Sequence, residues 1–280
     1  MTELLDRMLM EMELRNYSPH TINAYLWHVK AFEKLFGKSA DELDEAEIRQ
    51  YLYYLTTTKR VSSSNINIGY SALKFLYVHV LERDWNVNKL PRAKKEKKLP
   101  LVLSCHEVKR LFDVVNNVKH RLILMTTYSA GLRVSETAHL KVSDIDSQRM
   151  QIRVKQGKGN KDRHPLLSAQ LLAHLRYYWR IYRPSDFLFA GKDANQPINV
   201  KTIQRVMTNA RVKAGIKKPA TMHTLRHSFA THLLEQGVDI FTIQKLLGHS
   251  HIRTTCIYIH IQRKNIVKII NPLDQLLGDE

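Results

Sequence analysis

Apolar positions in the first 90 residues recur three and four apart, the spacing of one face of an α-helix. In LLDRMLMEM that face is Leu5, Met8, Leu9 and Met12. SPHTINAYLWHVKAFEKLFG puts Ile22, Tyr25, Leu26, Val29 and Phe32 on one stripe, with Ser18 as N-cap, Pro19 in the first turn and Gly37 as the stop. DEAEIRQYLYYL opens on Asp44 and Glu47 at capping-box spacing and continues through Ile48, Tyr51, Leu52 and Leu55. A fourth helix is predicted roughly from Asn65 to Leu81. Short amphipathic helices hide their stripes on one another, so a small helical bundle is expected here.

The period then breaks. PRAKKEKKLP, residues 91–100, is bracketed by prolines and nearly all charged, so it cannot bury itself and reads as a linker. Beyond it, Ser104 and Glu107 form a capping box at the head of SCHEVKRLF, and HRLILMTTYSAG is a helix stopped at Gly131. MQIRVKQGKGNKDRHPLL changes period: Ile152 and Val154 alternate with polar residues, QGKGN supplies turn glycines, and a second short run follows, which predicts a β-hairpin. Helical periods return at 168–182, 200–214, 224–236 and 240–247. The chain is expected to be mainly α with a small β element, in domains 1–90 and 101–280 joined by 91–100.

Charge sharpens this picture. The 280 residues carry a formal net charge of +18, which favours a polyanionic partner. Residues 1–90 sum to −1, the linker to +4 and 101–280 to +15, so the excess lies in the second domain and the junction before it. Two cysteines, Cys105 and Cys256, make neither a disulfide framework nor a zinc site. The first residues carry acids where a signal peptide would be basic, and no apolar run approaches the roughly 20 residues of a membrane span. A cytoplasmic protein with reduced thiols is the expectation.

Candidate chemistry concentrates in TMHTLRHSFATH, residues 221–232. His223 and His227 stand four apart, as a metal site would want, and His223 and Arg226 three apart, as a phosphate clamp would want. A zincin helix needs glutamate where Thr224 stands, and Arg226 repels a cation, so a metal is disfavoured although His249, His251 and His260 follow. Other short motifs accompany it: AGLRVSE with Arg133 and Glu136, QGKGNKDR with Lys158 between two glycines, and LLGHSHIRTTCIYIH with His249 and Tyr258.

In that order, Arg133, Lys158, His223-x-x-Arg226, His249 and Tyr258 resemble the signature of the tyrosine recombinases, the phage integrase family, over nearly the whole chain. Compact Xer-like and mobile-element integrases are most similar. The resemblance implies an N-terminal helical core-binding bundle, a basic linker and a mixed α+β catalytic domain. It implies cutting and rejoining of DNA through a 3′-phosphotyrosine intermediate, without metal, ATP or other cofactor; no G-x-x-x-x-G-K-[ST] is present. Tyr258 would be the nucleophile. A phenol of pKa near 10 is ionised in only about one molecule per thousand at pH 7, so it needs a base or a positive field. Guanidinium cannot take the proton; in this family the histidine matching His223 is assigned that task. Arg133, Arg226 and His249 would hold the charge that grows on the phosphate, and Lys158, with Lys155 and Lys161 as neighbours able to replace it, would protonate the leaving oxygen. Glu136 would orient Arg133; His227 and His232 read as structural.

The implied partner is double-stranded DNA with paired recombination sites, handled by a homo-tetramer with or without a second recombinase. Arg92, Lys94, Lys95, Lys97 and Lys98 would follow the DNA backbone, and the tail carrying Ile266, Val267, Ile269, Ile270 and Leu273 would pack on a neighbouring protomer or on its own domain. Three other readings stay open: a type IB topoisomerase-like relaxing enzyme, a DNA-binding regulator that never cuts, and metal-dependent hydrolysis.

Overall fold

The structure, a computed structural model, describes residues 3–85, 90, 92–94, 99–155 and 162–259. It divides into two compact units, Met1–Lys98 and Leu99–Glu280. Lys95, Lys97, Lys98, Lys158, Lys161, His260 and the tail lie outside the described residues.

The first unit is helical: α1 (Glu3–Leu14), α2 (Pro19–Phe36), α3 (Glu45–Thr57) and α4 (Ser63–Phe75). Local chemistry sets the ends. Ser18 Oγ accepts from Thr21 N–H, Gly37 closes α2 in the left-handed conformation, and Asp44 and Glu47 exchange both capping-box bonds. The fourth helix starts at Ser63, capped by Ser62, and its final stretch Leu76–Val80 is a π-turn rather than regular helix. Met8, Met12, Val29, Phe32, Leu73 and Leu76 are fully enclosed at the centre. Arg92, in the linker segment, lays its guanidinium over the Tyr70 ring at 4.8 Å and donates to Ser71 Oγ at 3.3 Å. Arg92 and Lys94 are both exposed.

The second unit contains α5 (Cys105–Asp113), α6 (Val118–Ser129), α7 (Val134–His139), α8 (Ala169–Tyr182), α9 (Val200–Lys213), α10 (Met222–Glu235), α11 (Ile240–Leu247) and α12 (Ile252–Thr255). Ser104 and Glu107 form the capping box of α5. Helix α10 is buried on nearly every side, from Met222 and Leu225 to Phe229 and Ala230, and packs on α6 and α11. A helix buried all round is the axis of a domain rather than a surface element. Of its chemistry-bearing side chains, Arg226 is buried and His227 half-buried, while His223 is exposed at the start of the helix.

The β element differs from the sequence expectation. Its named strands are β1 (Ile145–Asp146) and β2 (Gln151–Ile152), paired Ile145↔Ile152 and Asp146↔Gln151, and β1 was not anticipated. The expected hairpin exists as single bridges, Gln151↔Leu166 and Val154↔Arg163, with the tip 156–161 outside the described residues. Two residues are too few to show alternation. Among the described residues no helix is long and apolar enough to cross a membrane.

Gly131 links the end of α6 to α7 at φ +58°, and a Cβ there would stand 2.5 Å from the Phe229 ring and 3.0 Å from Leu247 Cδ2. Backbone strain and overpacking therefore act together in Gly131→Ala. The expected loss is roughly 2–3 kcal/mol, a fall in Tm of about 5–10 °C by calorimetry, whereas Gly37→Ala, with open space around it, costs about 1 kcal/mol.

Candidate active site

Five separate segments carry the candidate residues. Arg133 is the N-cap of α7, held there by the Gly131 turn. His223, Arg226 and His227 lie on the first turns of α10. Arg163 returns from the hairpin bridge with Val154. His249 follows Gly248, which ends α11 at φ +64°, and Tyr258 closes the short turn after α12.

Glu136 is the hub. Its carboxylate accepts from the Arg133 backbone N–H and guanidinium, each at 2.7 Å, and from both Arg163 terminal nitrogens at 2.7 and 2.6 Å; Arg226 Nη1 stands 3.9 Å away. The carboxylate is 9% exposed and the Arg163 side chain 6%. Burial by itself would raise the Glu136 pKa; the bonds and charge of Arg163, with the Arg133 bonds, overcome it and hold the group at about 2. Arg163 Nε also donates to Leu246 O at 3.1 Å, so this arginine ties the hairpin to both α7 and α11. A Cβ on Gly248 would come 2.7 Å from Arg163 Cδ, which explains a glycine at that turn.

Arg226 is 1% exposed and donates to Gly131 O and Leu247 O, both at 2.6 Å. These carbonyls lie beyond the end of α6 and at the last residue of α11, where backbone acceptors lack helical partners. Burial, then Arg133, lowers its pKa to about 9, so it remains cationic at neutral pH. Arg133, His223, Arg226, Gly248, His249, Ser250 and Thr254 line a small cavity of about 190 Å3. It adjoins a larger cleft of about 540 Å3 that shares Arg133, Gly248, His249 and Ser250 and adds Arg163, His164 and Lys245.

The histidines around this cavity are neutral. Burial, followed by Arg226 and Arg133, lowers His249 to about 3 and pushes His223 below the usual range in the same way. His249 Nδ1 is 3.0 Å from Thr255 Oγ1. His227 is lowered to about 4 by burial, His223 and Arg226. Tyr258 is fully buried in a small apolar cluster with Phe229, Ala230, Ile243 and Leu247, and burial pushes its phenol up to about 12 against the fields of Arg226 and Arg133. Arg133 and Arg226 line the small cavity and Arg163 the adjoining cleft, with one carboxylate behind them, so the walls are net positive and favour an anion.

Arg133, His223, Arg226 and His249 thus share one cavity, with Glu136 behind them. Tyr258 does not line that cavity; its hydroxyl lies 2.9 Å from His227 Nδ1. His227, read from sequence as structural, touches the phenol oxygen. His232 bonds the Tyr128 hydroxyl at 2.8 Å. Sequence reasoning missed Arg163, whose partner lies 27 positions away. The rings of His223 and His227 meet edge to face at 4.6 Å, and among the described residues no group of three His, Cys, Asp or Glu could hold a metal ion.

The depressed Glu136 pKa has a stability consequence of definite sign. Because the folded value is about 2 against 4.5 for the free group, the contribution is complete above about pH 4.5 and is lost as pH falls toward 2. For this buried group it amounts to roughly 3 kcal/mol. Glu136→Gln is expected to lower Tm at pH 7 by several degrees and to flatten the decline of Tm between pH 5 and 2, measured by calorimetry.

Comparison with known proteins fits this geometry. Residues 102–265 match the Phage integrase family, and residues 4–87 match the Phage integrase N-terminal SAM-like domain. A Sinorhizobium fredii protein, y4qK, whose name places it among integrases and recombinases, is 44% identical over 99% of this chain and 90% of its own length. Tyrosine recombinase XerA of Pyrococcus horikoshii is 34% identical over 99% of this chain and 96% of its own. The XerH recombinase, solved bound to difH substrate before cleavage, superposes with a TM-score of 0.70 at 25% identity, covering 91% of this chain and 80% of that one. The chain belongs to the phage integrase family, the tyrosine recombinases.

Proposed function

We propose that this protein is a site-specific recombinase that cuts and rejoins DNA through a 3′-phosphotyrosine link to Tyr258. The observation that carries the reading is the convergence of Arg133, Arg226, His223 and His249 on one cationic cavity, with buried Tyr258 within the field of both arginines. The phosphate would sit between the two guanidiniums, with neutral His249 and His223 each supplying one N–H. As the phenol oxygen attacks, charge grows on the phosphate oxygens, and preorganised donors cost no rearrangement at that moment. The 5′ oxygen leaves with a proton from Lys158. Resealing reverses the steps, and the phosphotyrosine ester conserves the energy of the broken bond.

With its pKa at about 12, ionising Tyr258 beforehand would cost roughly 7 kcal/mol at pH 7. Proton loss therefore accompanies attack rather than preceding it, and the proton passes to the free ring nitrogen of neutral His223 while its N–H faces the phosphate. Of the linker cations, Arg92 and Lys94 are exposed and, with Lys95, Lys97 and Lys98, would follow the DNA backbone. Action on paired sites as a homo-tetramer follows from the family and belongs to the same proposal.

Denaturing capture of the protein from cells is expected to recover covalently attached DNA. Tyr258→Phe should recover none, and Arg133→Ala or Arg226→Ala about 10²–10³-fold less. Adduct that persists in Tyr258→Phe, or no adduct from the unaltered chain, contradicts the reading. Rapid relaxation of supercoils by the monomer would favour a topoisomerase-like activity instead.

A further inference from the structure

Among the described residues the Tyr258 hydroxyl has one hydrogen-bond partner, and it lies outside the set that resembles the family signature. His227 Nδ1 stands 2.9 Å from Tyr258 Oη, with ring centroids 5.7 Å apart. The two residues are 31 positions apart, on α10 and on the turn after α12. Elsewhere the Tyr258 ring is held by apolar neighbours such as Phe229, Ala230 and Leu247. Apolar packing restrains where a ring lies but not where its O–H points. Arg226, one residue earlier on α10, is fixed by two carbonyls at 2.6 Å. The two ends of the reaction, nucleophile and phosphate clamp, are thus tied to adjacent residues of one buried helix.

We propose that His227 is the positioning residue of the nucleophile: its Nδ1 accepts the Tyr258 hydroxyl hydrogen and keeps the phenol oxygen in register with Arg226. This rests on Tyr258 being the nucleophile. The imidazole is neutral at working pH, and in its Nε2–H tautomer the phenol O–H donates to Nδ1. The proton stays on oxygen at rest, because the phenol binds it far more tightly than this imidazole does. The role is orientation, and its value follows from the steep dependence of attack on geometry: a misplacement of about 1 Å can cost about 10²-fold in rate.

The test uses the full chain and a nicked oligonucleotide carrying the site recovered from covalent complexes, under single-turnover conditions at saturating protein. His227→Leu is expected to form adduct about 10²-fold more slowly with unchanged DNA affinity. His227→Asn, whose Oδ1 stands near the place of Nδ1 and accepts the same hydrogen, is expected to recover the rate to within about tenfold. Wild-type rates in His227→Leu would overturn the proposal. So would His227→Asn as slow as His227→Leu with DNA binding intact, because the imidazole itself would then be required. Should His227→Leu fail to fold, His227→Gln replaces it; its longer side chain displaces the acceptor, and equal rates for the Asn and Gln variants would overturn the assignment. A Tyr258→Phe control that still forms adduct would refute the nucleophile instead, so the two failures are distinguishable.

Discussion

One buried carboxylate makes the rest of this site possible. Three guanidiniums brought together in a protein interior repel one another, and each loses its hydration. Glu136 relieves both costs by accepting bonds from Arg133 and Arg163 and standing 3.9 Å from Arg226. The carbonyls of Gly131, Leu246 and Leu247 satisfy further donors. One charge against three leaves the assembly cationic, so the residual field faces the cavity.

The same burial shapes the neighbouring groups. Imidazoles beside fixed cations stay neutral, so they can donate one N–H without adding charge. The phenol moves the other way: excluded from water, it holds its proton more tightly than free tyrosine despite the arginines. Under the proposed mechanism, the resting site is ready at the phosphate end and quiet at the nucleophile end. Helix α10 joins the two, because Arg226 and His227 are consecutive on a helix whose other faces are packed in the core.

What the sequence made legible was local. Ser18, Gly37, the Asp44–Glu47 box and the Ser104–Glu107 box each act within a few residues, and each marks a helix end where the spacing placed it. His223-x-x-Arg226 is readable because three residues on a helix share a face. Helix α7, six residues long, and strand β1, two residues long, are too short to carry a period. The long-range pairs were invisible for a different reason. Arg163 looks like any hairpin cation until Glu136 is placed beside it, and His227 looks like a core histidine until Tyr258 folds back onto α10. Neither pairing leaves a mark at fixed spacing.

The proposed chemistry stands on one bond, from the Tyr258 oxygen to a DNA phosphate. Mass spectrometry of peptides from nuclease-digested covalent complexes tests it most directly. A nucleotide mass is expected on the peptide containing Tyr258, localised to that residue by fragmentation. A nucleotide on any other tyrosine, or on a serine, histidine or cysteine, would contradict it.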